Sequence, residues 1–265
     1  MTAADLAVES RDVSLNRSAP DDWLRLGGPV VAVMQPYIFP YLGYFSLLHA
    51  CDRFVFYDDV QHMPRGWVHR NRLLIHGAPH TFTVPLAQAR QSDSIVSLRM
   101  HDFAAFRRHF LKQVACAYRR APYFEATYQW LEEVLDIETP SMATLAIRSV
   151  TSAAERLGLA RTWVRSSEHL HDSCGLGRAE RLALITLALG GRRYVNSPGG
   201  RSLYREADFE ARGVALRFVQ PSLPQYAQCG ASSFVPGLSI IDAFMHLPVA
   251  AVTAQVQHYR IEGDA

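Results

Sequence analysis

The sequence lacks the features that mark membrane, secreted or nucleic-acid-binding proteins. No apolar run approaches the roughly 20 residues that a membrane-spanning helix requires. No basic segment followed by an apolar one opens the chain, so no signal peptide is expected. With a formal net charge of +2 over 265 residues, electrostatics favours neither nucleic acid nor an anionic membrane as a partner. Hydrophobic residues make up 49% and charged residues 20%, which is typical of a soluble globular protein.

Cysteine is scarce and forms no metal-binding or disulfide motif. The four cysteines, which are widely spaced and form no C-x-x-C pair, are Cys51, Cys116, Cys174 and Cys229. This pattern suits a reducing cytoplasm, which is the predicted location. His169 and His171 with Asp172 form too incomplete a ligand set to predict a metal site, so none is assigned.

The segment from residue 30 to residue 71 has the pattern of a βαβ unit. An apolar run, Val30 to Met34, is bounded by prolines and predicts a buried strand. A helix is predicted from Tyr41 to Ala50 and a second strand from Arg53 to Tyr57. In open α/β sheets, ligands bind outside the carboxyl ends of the strands. The residues that follow these two strands are therefore the first candidates for a site.

The rest of the chain predicts a hairpin, a helical insert, and then alternating strands and helices. The hairpin is predicted at 72–86, a short strand at 95–100, and the helices of the insert at 103–118, 124–136 and 141–157. The later predicted strands are 162–165, 193–195 and 214–219, and the later predicted helices are 178–189, 202–212, 239–247 and 249–259. Such alternation favours a parallel sheet.

These elements predict an α/β fold with a mostly parallel open sheet, Rossmann-like and close in topology to nucleotidyltransferases. The helical insert covers about 103–157 of a single α/β domain at 29–265. Residues 1–28 are predicted to form a mobile N-terminal arm, in which Trp23, Leu24 and Leu26 are apolar enough to dock on the domain.

Polar or small residues follow several of the predicted strands. They are Gln35, Tyr37, Asp58, Asp59, Ser166, Asn196, Gly199 and Gly200. Because the carboxyl ends of parallel strands meet at one edge of a sheet, we expect these residues to face a common crevice. The glycines could also bring backbone N–H groups to a phosphate or carboxylate.

The pair Asp58-Asp59 is the strongest candidate for catalysis. Neighbouring carboxylates can hold a cation, or one of them can act as a base, although adjacent residues of a strand point to opposite faces unless the chain turns there. His69 is a rival base in the loop that follows. Cys174 could attack a thioester, but no neighbour in the sequence activates its thiol.

The loop from Gln61 to Asn71 carries the residue types expected of a substrate site. Trp67 offers a flat platform for a sugar ring, a base or a pantetheine arm. Arg70 offers a fork of donors for a phosphate or carboxylate. Gln61, Trp67, Arg70 and Asn71 are therefore predicted to bind substrate.

Two tyrosines occupy positions where other α/β enzymes carry histidines. Nucleotidyltransferases with an H-x-G-H motif place its histidines after the first strand, at the start of the first helix. Here Tyr41 and Tyr44 stand at the corresponding positions. Phenols donate hydrogen bonds but bring no positive charge, so direct nucleotidyl transfer is disfavoured while a role in substrate binding stays open.

Several short motifs together resemble the WbqC-like family of bacterial proteins. They are Gln35-Pro36-Tyr37, Phe39-Pro40-Tyr41, Gly43-Tyr44-Phe45, Tyr57-Asp58-Asp59-Val60-Gln61, Gly66-Trp67, Arg70-Asn71, Pro122-Tyr123-Phe124, Asn196, Gly199-Gly200, Leu203-Tyr204, Phe234-Val235-Pro236 and Leu238-Ser239-Ile240-Ile241-Asp242. The resemblance implies attachment of acyl or aminoacyl groups to amino sugars, in polysaccharide or secondary-metabolite biosynthesis. The family pattern has Asn where this chain has His69, which implies a different substrate.

Three functions follow as hypotheses. The first is a transferase that forms an amide between an amine on a sugar or small metabolite and an acyl thioester on a carrier protein or coenzyme A. In it, Asp58, Asp59 or His69 would accept the proton, and Tyr37, Asn71 or loop N–H groups would stabilise the oxyanion. The second is a nucleotide-dependent enzyme, and the third is a non-catalytic module that binds a sugar nucleotide or a carrier protein.

Overall fold

The strands assemble into one six-stranded sheet and a separate two-stranded hairpin. The computed structural model describes residues 23, 25–170 and 173–263. In the large sheet the strand order is β5-β2-β1-β6-β7-β8, parallel throughout except for the antiparallel β8. Its strands are β1 (Val30–Met34), β2 (Arg53–Phe56), β5 (Thr162–Arg165), β6 (Arg193–Asn196), β7 (Ala215–Pro221) and β8 (Tyr259–Glu262). The hairpin pairs β3 (Arg70–Ile75) with β4 (Ala78–Thr83). This order confirms the predicted Rossmann-like α/β fold.

The helices surround the sheet, and three of them form the predicted insert between β4 and β5. The helices are α1 (Leu42–His49), α2 (Phe103–Tyr118), α3 (Phe124–Val134), α4 (Met142–Arg156), α5 (Ser166–His169), α6 (Arg178–Ala188), α7 (Glu206–Glu210), α8 (Ile240–His246) and α9 (Val249–Val256). Within the described part of the chain, no helix is long and apolar enough to cross a membrane.

Alternating strand residues supply two cores, one on each face of the sheet. In β1, Val30 and Ala32 pack into the core that includes α1 and the insert. Val31 and Val33 pack on the opposite face with residues of α6. Successive side chains of a strand point to opposite faces, so a continuous apolar run is what a sheet covered on both faces requires.

The order of the strands reverses between β1 and β6. From β1 the chain builds outward through β2 and β5, and then returns to place β6 on the other side of β1. Such a switch point opens a crevice outside the carboxyl ends of the two strands. The loop that begins at Gln35 and the turn that begins at Ser197 flank this crevice.

Three predicted elements differ from the structure. The predicted strand at 95–100 is a 3₁₀ turn, Ile95–Ser97, and only isolated bridges at Arg99 and Met100 pair with other segments. The predicted helix at 202–212 is limited to Glu206–Glu210. The predicted helix at 249–259 ends at Val256, and Tyr259 instead begins β8.

Part of the predicted N-terminal arm docks on the domain. Trp23 is buried, and the guanidinium carbon of Arg217 lies 5.7 Å from the centroid of its ring. Residues 1–22 and Leu24 lie outside the described residues, as do His171 and Asp172.

Candidate functional site

A carboxylate cluster lies where β2 and β5 end side by side. The side chain of Asp58 is fully buried. Its Oδ2 accepts hydrogen bonds from Arg165 Nε and Ser167 Oγ, both at 2.9 Å, and its Oδ1 accepts one from the backbone N–H of Ser167 at 3.0 Å. Arg165 Nη2 completes an ion pair at 2.8 Å. These bonds join the ends of the two strands, so the geometry gives Asp58 a structural role and does not favour it as a base.

Asp59 is the more accessible member of the pair. Its Oδ2 lies 2.6 Å from Arg181 Nη2, its Oδ1 accepts a hydrogen bond from Ser166 Oγ at 2.7 Å, and 12% of its side chain is exposed. Burial alone would raise the pKa of Asp59, but the hydrogen bonds from Ser166 and Arg181 and the charge of Arg181 lower it on balance. The carboxylate is therefore ionised at neutral pH.

The free thiol of Cys174 borders the same carboxylate. Its Sγ lies 3.4 Å from Asp59 Oδ2 and 3.5 Å from Arg181 Nη2. Partial desolvation, and then the hydrogen bond to Asp59, raise the pKa of Cys174. A thiol of raised pKa is protonated near neutral pH and is a weak nucleophile, so the structure does not favour Cys174 as the group that attacks a thioester.

An aromatic pocket of about 210 Å³ lies beside the loop that follows β1. Its walls are Tyr37, Pro40, Tyr41, Trp67, Asn71, Arg72 and Gly237. Burial raises the pKa of Tyr37 and of Tyr41, so both phenols keep their protons and can donate hydrogen bonds. Gly43 is required beneath this wall because a Cβ at position 43 would collide with the Tyr41 ring.

Two guanidinium groups lie against the indole of Trp67. The guanidinium carbons of Arg70 and Arg72 lie 5.4 and 5.5 Å from the ring centroid, within the range of a cation–π contact. Both arginines belong to β3 and are two residues apart, so their side chains leave the same face of the hairpin.

The predicted base His69 lies in a buried pair of imidazoles. The rings of His62 and His69 are 5.1 Å apart between centroids, and the Nδ1 atom of each is buried without a hydrogen-bond partner among the described residues. Burial, then the neighbouring His62 and Arg70, lower the pKa of His69 to about 4. His69 is therefore neutral at neutral pH, and its catalytic role stays a prediction.

Other predicted site residues hold the loops in place. The Tyr44 hydroxyl is buried and donates to the backbone carbonyl of Gln35 at 2.9 Å. Asn71 Nδ2 donates to the carbonyls of Ile38 and Phe39 at 2.9 and 2.7 Å. Both amide hydrogens of Asn71 are thus in use, which does not favour it as an oxyanion donor, and its predicted contact with substrate stays a prediction.

The remaining predicted residues lie apart from these contacts. Gln61 is exposed, and its Nε2 donates to the carbonyl of Gln91 at 2.8 Å. Asn196 caps the turn after β6 by accepting from Ser197 N at 2.8 Å. Gly199 and Gly200 form the 3₁₀ turn that follows, where a Cβ on Gly200 would collide with Asn196. Their predicted contact with substrate stays a prediction.

One segment, residues 57–67, connects the carboxylate cluster to the aromatic pocket. It starts beside β1, where Tyr57 N donates to Met34 O at 2.9 Å. It ends at Trp67, whose carbonyl accepts from Ile38 N at 3.2 Å. The same loop therefore carries an ionised carboxylate at one end and an aromatic platform at the other, along the edge of the sheet where ligands bind in this fold.

Sequence reasoning predicted Arg70 but missed Arg181 in the carboxylate cluster and Arg72 in the pocket wall. Arg181 lies inside α6 and Arg72 inside β3, so each resembles an ordinary polar residue of its element. Within the described residues, no group of three or more His, Cys, Asp or Glu side chains is placed to hold a metal ion.

This chain is similar to a described protein family and to a mycobacterial protein. The model of a family described as the WbqC-like protein family matches residues 35–254, a range that contains the pocket and the carboxylate cluster. The uncharacterized protein Rv1507c of Mycobacterium tuberculosis is 25% identical over 224 residues, which cover 83% of this chain and 95% of that protein. No solved structure matches this chain significantly.

Proposed function

We propose that this chain, which belongs to the WbqC-like protein family, is a biosynthetic transferase. It moves an acyl or aminoacyl group from a thioester to an amine on a sugar or small metabolite and so forms an amide. The observation that carries the proposal is the segment 57–67, which joins the ionised Asp59 to a pocket walled by Trp67.

The pocket suits the ring of the amine-bearing substrate. A volume of about 210 Å³ is below the range of pockets that hold drug-sized ligands and is of the order of one sugar ring. The indole of Trp67 can stack on the apolar face of such a ring. The phenols of Tyr37 and Tyr41 can donate hydrogen bonds to its hydroxyl groups.

Asp59 supplies the acceptor that amide formation requires. The amine nitrogen attacks the thioester carbonyl carbon, the C–S bond breaks, and the thiol of the donor leaves. The nitrogen must lose a proton in this sequence, and a positioned carboxylate can take it. Asp59 is the better candidate of the two because it is ionised and 12% of its side chain is exposed, whereas the side chain of Asp58 is fully buried.

The test is a transfer assay on the purified full-length chain. Acetyl-CoA and glycyl-CoA are each incubated with a panel of amino sugars, and amide products are detected by mass spectrometry. Asp59→Asn should lower product formation at least ~100-fold, the scale of a lost acid–base group. Asp136→Asn is the matched control, because Asp136 also pairs with an arginine, Arg107, but is 74% exposed on the insert. Equal rates for both variants would refute the role of Asp59.

The order of the strands supports a second candidate, a nucleotide-dependent enzyme. Sheets of this order bind nucleotides at the switch point, here between β1 and β6. The turn after β1 reads Gln35-Pro36-Tyr37 and not a glycine-rich phosphate loop, which weakens this candidate. A rise in melting temperature with ATP but not with acetyl-CoA would favour it over the transferase.

A further inference from the structure

We infer that the ligand of the aromatic pocket carries an oxyanion, a carboxylate or a phosphate, which Arg72 and Arg70 recognise. This inference rests on the proposed function, because it names the class of substrate for the same site. It goes beyond that function because transfer to an amine requires no negative charge on the acceptor.

The first support is the crowding of positive charge at Trp67. Two guanidinium groups lie within 5.5 Å of one ring centroid. Two positive charges beside the same ring repel each other unless an anion or solvent offsets them. The indole face attracts each cation, but it carries no net charge and does not neutralise them.

The second support is that, among the described residues, the positive charges of Arg70 and Arg72 have no carboxylate partner. Among the residues that the structure describes, neither Arg70 nor Arg72 forms an ion pair with Asp or Glu, whereas Arg165 and Arg181 of the carboxylate cluster each do. A bound anion would supply the counter-charge that the described residues do not provide to these two guanidinium groups.

The third support is the position of Arg72 in the cavity wall. Arg72 lines the pocket together with Trp67 and Tyr41, and its Nη2 is held by the carbonyl of Gly237 at 2.8 Å. A guanidinium fixed in this way keeps its remaining donors for a planar carboxylate or a phosphate.

The pocket wall can bind a ring, through Trp67, and a neighbouring oxyanion, through Arg72, at the same time. The inferred substrate is therefore a sugar acid, a sugar phosphate or a similarly charged ring. Replacing Arg72 by Met keeps the length of the stem that packs on Trp67 and removes the charge.

The experiment measures binding of glucose, glucuronate and glucose 1-phosphate to the full-length chain by calorimetry at constant ionic strength. We expect at least one of the two anions to bind about 10- to 100-fold more tightly than glucose, the range for a hydrogen bond between charged groups. The tighter of the two identifies the anion as a carboxylate or a phosphate. Arg72→Met should abolish the preference, Arg72→Lys should restore part of it, and Arg119→Met, at an exposed position of the helical insert, should leave it unchanged.

Equal affinity for the three probes, binding of none of them, or a preference that survives in a folded Arg72→Met variant would overturn the inference. The melting temperature of each variant shows whether it is folded, and Arg70→Met gives a second test if Arg72→Met is not. Amide formation from neutral amino sugars at an unchanged rate in Arg72→Met would leave the transferase standing without the anion site. A preference for the anions with no amide product from any donor would support the anion site and refute the transferase.

Discussion

The replacement Asp58→Asn tests the proposal that Asp58 is a structural carboxylate and Asp59 the base. Asn has the same shape as Asp, but it carries no charge and turns an amide NH₂ toward groups that are themselves donors. Asp58 Oδ2 now accepts from Arg165 and Ser167, and Oδ1 accepts from Ser167 N. Whichever way the Asn amide is turned, at least one of these buried donors loses its acceptor.

The expected cost follows from the burial of the pair. Removing one partner of a buried ion pair costs about 3–5 kcal/mol. Because the Arg165 side chain is 26% exposed and also pairs with Glu168 at 2.8 Å, the lower end applies, about 3 kcal/mol. For a chain of this size, each kcal/mol shifts the melting temperature by about 2–4 °C, so the fall should be about 6–12 °C.

Asp59→Asn should lose a similar amount of stability, about 3 kcal/mol, because it leaves the Arg181 side chain, 7% exposed, without its carboxylate partner. The two variants should differ in activity, because transfer falls to background in Asp59→Asn and is kept in Asp58→Asn. The assay is thermal unfolding of both variants, with transfer measured at a temperature where both are folded. A melting temperature for Asp58→Asn within 2 °C of the parent would refute the structural reading. Activity lost in Asp58→Asn and kept in Asp59→Asn would indicate that Asp58 is the base and that Asp59 is not.

Three further changes test other parts of the structure. The pKa of His69 is lowered to about 4 from its ordinary value near 6.5. The neutral imidazole therefore contributes at most roughly 3 kcal/mol to the free energy of unfolding. This contribution is present above pH 6.5 and is lost as the pH falls through 4. His69→Gln should flatten that part of the curve of melting temperature against pH, and the exposed His80→Gln should not. Gly43→Ala should displace the Tyr41 ring and weaken binding of glucuronate in calorimetry; unchanged affinity would place the ligand elsewhere. Asp242→Asn should cost roughly 2–3 kcal/mol in urea unfolding, because this buried carboxylate accepts from two tyrosine hydroxyls and one glutamine amide, and a neutral result would contradict that network.

The fold was largely predictable because its signals are local and long enough to read. The apolar run Val30–Met34 needs both faces covered, and Phe103–Tyr118 repeats its apolar residues every three or four positions over 16 residues. The four-residue strand Tyr259–Glu262 shows only Tyr259 and Ile261 as buried alternate positions, too short a pattern to distinguish from a continuing helix. The segment Ile95–Ser97 is a single turn set by its tertiary contacts.

The candidate site was less predictable because its chemistry depends on partners far along the chain. Asp58 and Asp59 are adjacent in the sequence, yet each pairs with a different arginine, Arg165 or Arg181, more than a hundred residues away. Arg181 sits in the middle of a helix, where nothing local marks it as the partner of Asp59. Sequence patterns located the acids, and only the packing of α6 and β5 against β2 distinguishes them.

Gly237, which closes the aromatic pocket next to Arg72, comes from 165 positions further along the chain. The other walls of the pocket all lie between Tyr37 and Arg72. The cavity is therefore complete only after this distant segment has folded onto the hairpin, and occupancy of the cavity would report that the long-range contact has formed. A ligand that stabilises the finished protein could not protect truncated chains, which would stay open to proteases.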